Sequence, residues 1–136
     1  MKNYKLAATA AALACALSLM SAPAAAQSAD AQRVGVNGKV LESIPLANML
    51  DGGAARSLRM RQVTIDPGGL LPLHSHADRP SVSYVLRGTV TETFEDTGES
   101  RRLSAGQSYE THGARRHALQ NLEQEPAVFI EVDLPR

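Results

Sequence analysis

The stretch Pro67-Gly68-Gly69-Leu70-Leu71-Pro72-Leu73-His74-Ser75-His76 decides how this chain is read. Pro-Gly-Gly is turn chemistry, and Pro72 fixes φ just before the histidines, so the approach to them is extended. On extended backbone, residues two apart project from one face, and both imidazoles of His74 and His76 point the same way. Two neutral imidazoles side by side make half of a divalent-metal site, whereas two protonated ones would repel. The pair alone fits a ligand-free surface equally well. The other two histidines, His112 and His117, follow within the same part of the chain, and the remainder has none.

Working outward, helical periodicity is nearly absent. Short runs of apolar alternation are broken by turn residues: Asp66-Pro-Gly-Gly69, Arg87-Gly88, Asp96-Thr-Gly98, Ala105-Gly106, Thr111-His-Gly113 and Glu125-Pro126. Between them the pattern predicts nine strands: 34–41, 58–65, 71–76, 82–86, 89–94, 101–103, 108–111, 117–122 and 127–132. One helical turn is expected over 46–50. In 89–94, Val90, Glu92 and Phe94 alternate with three threonines. Many short strands at close spacing predict an all-β sandwich or barrel.

A family resemblance now has residues to stand on. Pro67-Gly68-x3-Pro72-x-His74-x-His76, followed by Tyr84-Val-Leu-x-Gly88, resembles the first motif of the cupins. Gly106-x5-His112 with His117-x3-Asn121 resembles the second. The two motifs occupy 67–88 and 106–121, and the resemblance covers roughly residues 55–134. It implies a small antiparallel β-barrel of the jelly-roll type, a double-stranded β-helix, over 34–136. It also implies a metal held inside by three histidines and a glutamate. Carried over by position, the histidines are His74, His76 and His117. The position of the family glutamate is Ser81, and His112-Gly113-Ala114 stands where Pro-x-Gly is usual.

Three imidazoles without the carboxylate leave the ion its full charge and open positions, as in the related thiol dioxygenases. The cofactor expected is a divalent transition metal: Fe, Mn, Zn, Ni or Cu. Glu110 and His112 are candidates for an added ligand, if strand 108–111 lines the barrel; Ser81 is a weaker one. Arg79, Tyr84 and Asn121 are candidates for contact with a small-molecule substrate. The resemblance implies dioxygenation, isomerisation or decarboxylation, with a non-catalytic binding or sensing module as the alternative. It also implies a homodimer that exchanges 34–41.

Residues 1–26 have the grammar of a secretory signal: Lys2 and Lys5, an uncharged run from Leu6 to Met20, then Ala24-Ala-Ala26 before Gln27. That run is too short to span a bilayer, and no second one follows, so no membrane span is expected. Cleavage near Ala26 would deliver the protein to the periplasm or beyond, with 27–33 as a flexible tail. Of the 136 residues, 14 are basic and 14 acidic. Without Lys2 and Lys5 the mature chain carries 12 against 14, a net charge of −2, which argues against a nucleic-acid partner. The single cysteine, Cys15, leaves with the leader, and with it go disulfides, thiolate metal sites and thiol nucleophiles. Four aromatics remain, Tyr84, Phe94, Tyr109 and Phe129, so the core is expected to be mostly Val, Leu and Ile.

Overall fold

The structure, a computed structural model, describes residues 32–46, 49 and 57–135. The leader over 1–26 lies outside the described residues, and so does most of the expected helical turn, of which the Met49 N–H donates to the Leu46 carbonyl at 2.9 Å. All regular structure among the described residues is strand: β1 (Val34–Pro45), β2 (Ser57–Arg87), β3 (Thr89–Phe94), β4 (Ser100–Ser104), β5 (Ser108–Gln120) and β6 (Ala127–Asp133). Among them no helix is long and apolar enough to cross a membrane.

Every expected strand is present, but two elements absorb five of them. β2 swallows three and β5 swallows two, because the chain stays extended past its glycines and prolines and bends there with shifts of register instead of ending. The register shows where each bends. Residues 57–65 of β2 lie between β1 and β6, residues 70–76 pair with 113–120 of β5, and residues 81–87 return to the other side of β6. Residues 81–84 also pair with 108–111 of β5. One sheet is therefore β1, 57–65, β6, 81–87 and 108–111. The other is 70–76, 113–120, β3 and β4, and the two face each other as an antiparallel jelly-roll barrel.

Two glycines make the corners that aim the histidines. A Cβ on Gly69 would sit 2.8 Å from the Asp66 carbonyl oxygen and from Ile65, so only glycine lets the chain fold back there. Gly113, at φ +71°, lies opposite His76 where the register between β2 and β5 shifts.

The interior is divided along its length. Val63, Ile65, Leu71, Val85, Val90, Leu103, Tyr109, Leu119, Ala127 and Phe129 form one apolar cluster. As expected, aliphatics dominate it, with Tyr109 set edge-on to Phe129 at 6.1 Å. On β6 the buried side chains alternate strictly: Ala127 and Phe129 belong to that cluster, while Glu131 and Asp133 continue the same face into a polar half. Cross-strand pairing fixes the rows. Val63, Phe129 and Val85 share one, Arg61, Glu131 and Ser83 the next, and Arg59, Asp133 and Ser81 the last.

Candidate metal centre

His74 and His76 sit on the middle segment of β2, and His117 lies opposite His74 on β5. Their rings gather at one point, with centroid separations of 4.4 Å (His74–His117), 5.1 Å (His74–His76) and 5.2 Å (His76–His117). One nitrogen from each ring lies within 4.8 Å of the others. His76 and His117 are buried and His74 is partly buried.

Each ring is turned by an oxygen behind it. His74 Nδ1 is 2.8 Å from the Pro72 carbonyl, His76 Nδ1 is 2.8 Å from the Arg79 carbonyl, and His117 Nδ1 is 2.7 Å from the Glu92 carboxylate. Carbonyl and carboxylate oxygens only accept, so in each ring Nδ1 carries the proton and donates it. All three Nε2 atoms are then left as lone pairs. Nε2 of His74 and of His76 are 3.2 Å apart, and His117 Nε2 is buried with no hydrogen-bond partner. Converging acceptor lone pairs repel unless a cation lies between them, and an imidazole held from behind by an oxygen is how proteins present nitrogen to a metal. Burial, ahead of any charge effect, pushes His74 down to about 4 from its ordinary 6.5 and pushes His76 in the same direction. Both are neutral at pH 7, the state that metal binding requires.

Ser81, at the position of the missing glutamate, joins this constellation from the side. Its hydroxyl lies 3.2 Å from His76 Nδ1 and 2.6 Å from the Thr111 hydroxyl, so it touches a ring of the triad at the nitrogen turned away from the centre. The other candidates lie elsewhere. Glu110 and His112 are exposed and pair with each other at 3.4 Å. Within the segment 108–111 of β5, Tyr109 and Thr111 turn inward, and Glu110 between them takes the opposite face.

Tyr84 stands exposed on the outside of the five-stranded sheet, not toward the interior. Asn121 is fully buried but occupied: its Nδ2 donates to the carbonyls of Ile65 and Glu125, and its Oδ1 accepts from the Glu123 N–H. It ties β5 to the corner before the histidines, and its own hydrogen-bonding capacity is spent there. The Arg79 guanidinium turns to Glu131 (3.1 Å) and Asp133 (2.8 Å), while its backbone carbonyl holds His76.

The residue that sequence reasoning passed over is Glu92. It is fully buried on β3, where one carboxylate oxygen accepts from His117 and the other from the Arg101 Nε. Burial pushes its pKa up, but the hydrogen bonds from His117 and Arg101 outweigh burial and hold it below the usual range, so it is a carboxylate. Its signal was present: Glu92 shares a face with Val90 and Phe94, an acid in phase with apolar residues. Arg59 and Arg61 were passed over likewise. Arg59 bonds Asp133 through two nitrogens at 3.0 and 2.8 Å, and Arg61 bonds Glu131 at 2.6 Å.

A cavity of about 320 Å³ opens beside the triad, lined by Phe94, Arg101, Thr111, Arg115 and His117, with Glu110 and His112 at its edge. It gives a small molecule room next to the imidazoles.

Comparison with known proteins places this geometry in context. Residues 61–133 match the family model described as the cupin domain. A germin-like protein of rice (Oryza sativa subsp. japonica), Germin-like protein 3-1, is 34% identical over 88 residues, which cover 62% of this chain and 39% of that protein. The match thus spans about two-fifths of that relative's length. The polyketide cyclase RemF from Streptomyces resistomycificus has a similar fold, with TM-score 0.60 and 18% identity, over 74% of this chain and 66% of that one. So has the cupin domain of an XRE-family transcriptional regulator from Enterobacter cloacae, with TM-score 0.56 and 22% identity, over 76% and 100%.

Proposed function

The chain belongs to the cupin domain family, and from that premise we propose that it is an exported metal-binding cupin acting on a small organic molecule held in its barrel. His74, His76 and His117 hold the ion, which is Fe, Mn, Zn, Ni or Cu in the divalent state. The observation that carries this reading is the set of three Nδ1–H groups, each committed to an oxygen, which leaves three Nε2 lone pairs aimed at one point. A divalent ion on three neutral ligands supplies Lewis acidity and keeps positions open for a substrate or dioxygen.

The chain's own residues do the rest. The Pro72 and Arg79 carbonyls and Glu92 orient the imidazoles, and Glu92 brings a negative charge within one ring of the centre. The apolar cluster seals one end of the interior, so a substrate enters by the cavity at Phe94, Arg101 and Arg115. The reaction belongs to the dioxygenase, isomerase or decarboxylase classes.

The cationic start, apolar run and Ala-rich cleavage site support export to the periplasm with removal of residues 1–26. Exposed Ile44, Leu58, Met60, Val82, Tyr84 and Leu86 on the outer face of the five-stranded sheet support a homodimer through that face.

Elemental analysis of protein recovered from the periplasm tests the metal, with one equivalent expected and its loss in His117→Ala. Dioxygen uptake and product analysis with candidate substrates then test turnover. A loaded protein that binds but never turns over would be a sensor or carrier. A protein that takes up none of the five metals at neutral pH would end the proposal.

A further inference from the structure

Two guanidinium groups line the cavity beside the triad, and both rest on the same ring. The Arg115 guanidinium lies 3.8 Å from the Phe94 centroid and that of Arg101 lies 5.4 Å from it. Phe94 is itself the cross-strand partner of His117, with the two rings stacked at 6.5 Å. Each arginine is also fixed by its Nε, Arg101 to Glu92 and Arg115 to Asp96 at 3.0 Å. Stacking on an aromatic face and an Nε anchor hold a guanidinium in place without using its terminal nitrogens. The hydrogen bonds that anchor the two side chains run through Nε and leave the terminal nitrogens out of the anchor. About half of each side chain remains exposed, so water or a ligand can reach it.

The charge count sharpens the point. Glu92, Asp96 and Glu110 stand against Arg101 and Arg115, which leaves this wall one negative charge in excess. A divalent ion on the triad would reverse that to one positive charge. The wall then offers fixed donors at its outer end and an electrophilic centre at its inner end, a combination that fits an anion with two separated oxygen groups.

We propose that the cavity takes a small organic anion, a dicarboxylate or similar molecule, with one carboxylate toward the triad and the other on the terminal nitrogens of Arg101 and Arg115. This names the substrate class of the site and rests on the metal reading above. Arg115 meets the ligand and touches none of the three histidines. Arg101 does both jobs, because its Nε also steadies the Glu92 carboxylate behind His117.

The test uses the mature chain loaded with Co²⁺, followed by its visible absorption, with malonate, acetate and the uncharged malonamide as probes. Wild type is expected to bind malonate at least tenfold more tightly than acetate or malonamide, and metal-free protein, read by titration calorimetry, is expected not to bind it. Arg115→Gln should weaken malonate by about tenfold to a hundredfold, the worth of a lost charge-assisted contact, with Co²⁺ affinity within about twofold. Arg101→Gln should weaken both. If Co²⁺ binds but Arg115→Gln and wild type take malonate equally, or malonamide binds as well as malonate, the anion assignment is wrong and the metal site stands. If Co²⁺ does not bind, the metal reading falls and takes this assignment with it.

Discussion

Strand β6 carries the two halves of the barrel interior on one face. Ala127 and Phe129 are fully enclosed by hydrocarbon, while Glu131 and Asp133 are almost as deeply enclosed and carry charge. The neighbouring segment of β2 repeats the division, with Val63 and Ile65 beside the first pair and Arg61 and Arg59 beside the second. Backbone pairing is the same throughout, but what holds the side chains differs. The apolar half gains from removing hydrocarbon from water, a contribution that needs no partner geometry. The polar half must match each buried group to a partner, and the net stabilisation from such pairs is small. One half stabilises the fold, and the other spends its hydrogen bonds on orienting imidazoles and guanidiniums.

Breaking the apolar half should cost the most. Phe129→Ala removes a fully enclosed ring and is expected to lower stability by about 3–5 kcal/mol in urea unfolding. The three histidines should still gather in whatever fraction remains folded, so metal stoichiometry per folded molecule should hold.

The polar half should respond to pH where the apolar half does not. Burial holds His74 at about 4 against an ordinary 6.5. Between those values the unfolded chain takes up a proton that the folded metal-free protein refuses. Stability therefore falls as pH is lowered from about 6.5 toward 4, by at most about 3 kcal/mol from this residue, and levels off below. Unfolding of metal-free protein across that range should show the slope, and His74→Gln should flatten part of it. A wild-type curve flat from pH 7 to 4 would contradict the burial argument. The same shift keeps the imidazole free to bind metal well below pH 6.5.

Within the polar half, Glu92→Gln separates charge from shape. Glutamine can still accept from His117 Nδ1, but the negative charge is gone. Metal affinity is expected to fall by about tenfold to a hundredfold, read by competition with a chelating dye. Glu110→Gln gives the smallest effect. Its carboxylate faces outward against His112, so metal affinity should change less than twofold. A large loss there would mean that β5 turns its other face inward.

The strand-forming segments, the jelly-roll arrangement and the meeting of His74, His76 and His117 were legible in the sequence, because period-two alternation and paired motifs are local signals; the number of strands was not, because β2 and β5 run on through their bends. What escaped depends on parity and on continuity. The sequence does not say which face of 108–111 turns inward; Tyr109 and Thr111 take the inner face, which leaves Glu110 outside. Tyr84 was misplaced for a related reason, since Ser81, Ser83 and Val85 take the inner face and leave 84 outside. Glu92, Arg59 and Arg61 were visible as charges in phase with apolar residues. Only the assembled sheet shows their partners: Asp133 and Glu131 directly opposite Arg59 and Arg61, and His117 on the diagonal from Glu92.

The most direct measurement is an anomalous difference map from crystals of Co²⁺-loaded protein, collected at the cobalt edge. One strong peak is expected, about 2.0–2.2 Å from the Nε2 atoms of His74, His76 and His117 alike. A peak at Glu110 and His112, or none within reach of all three rings, would contradict the account.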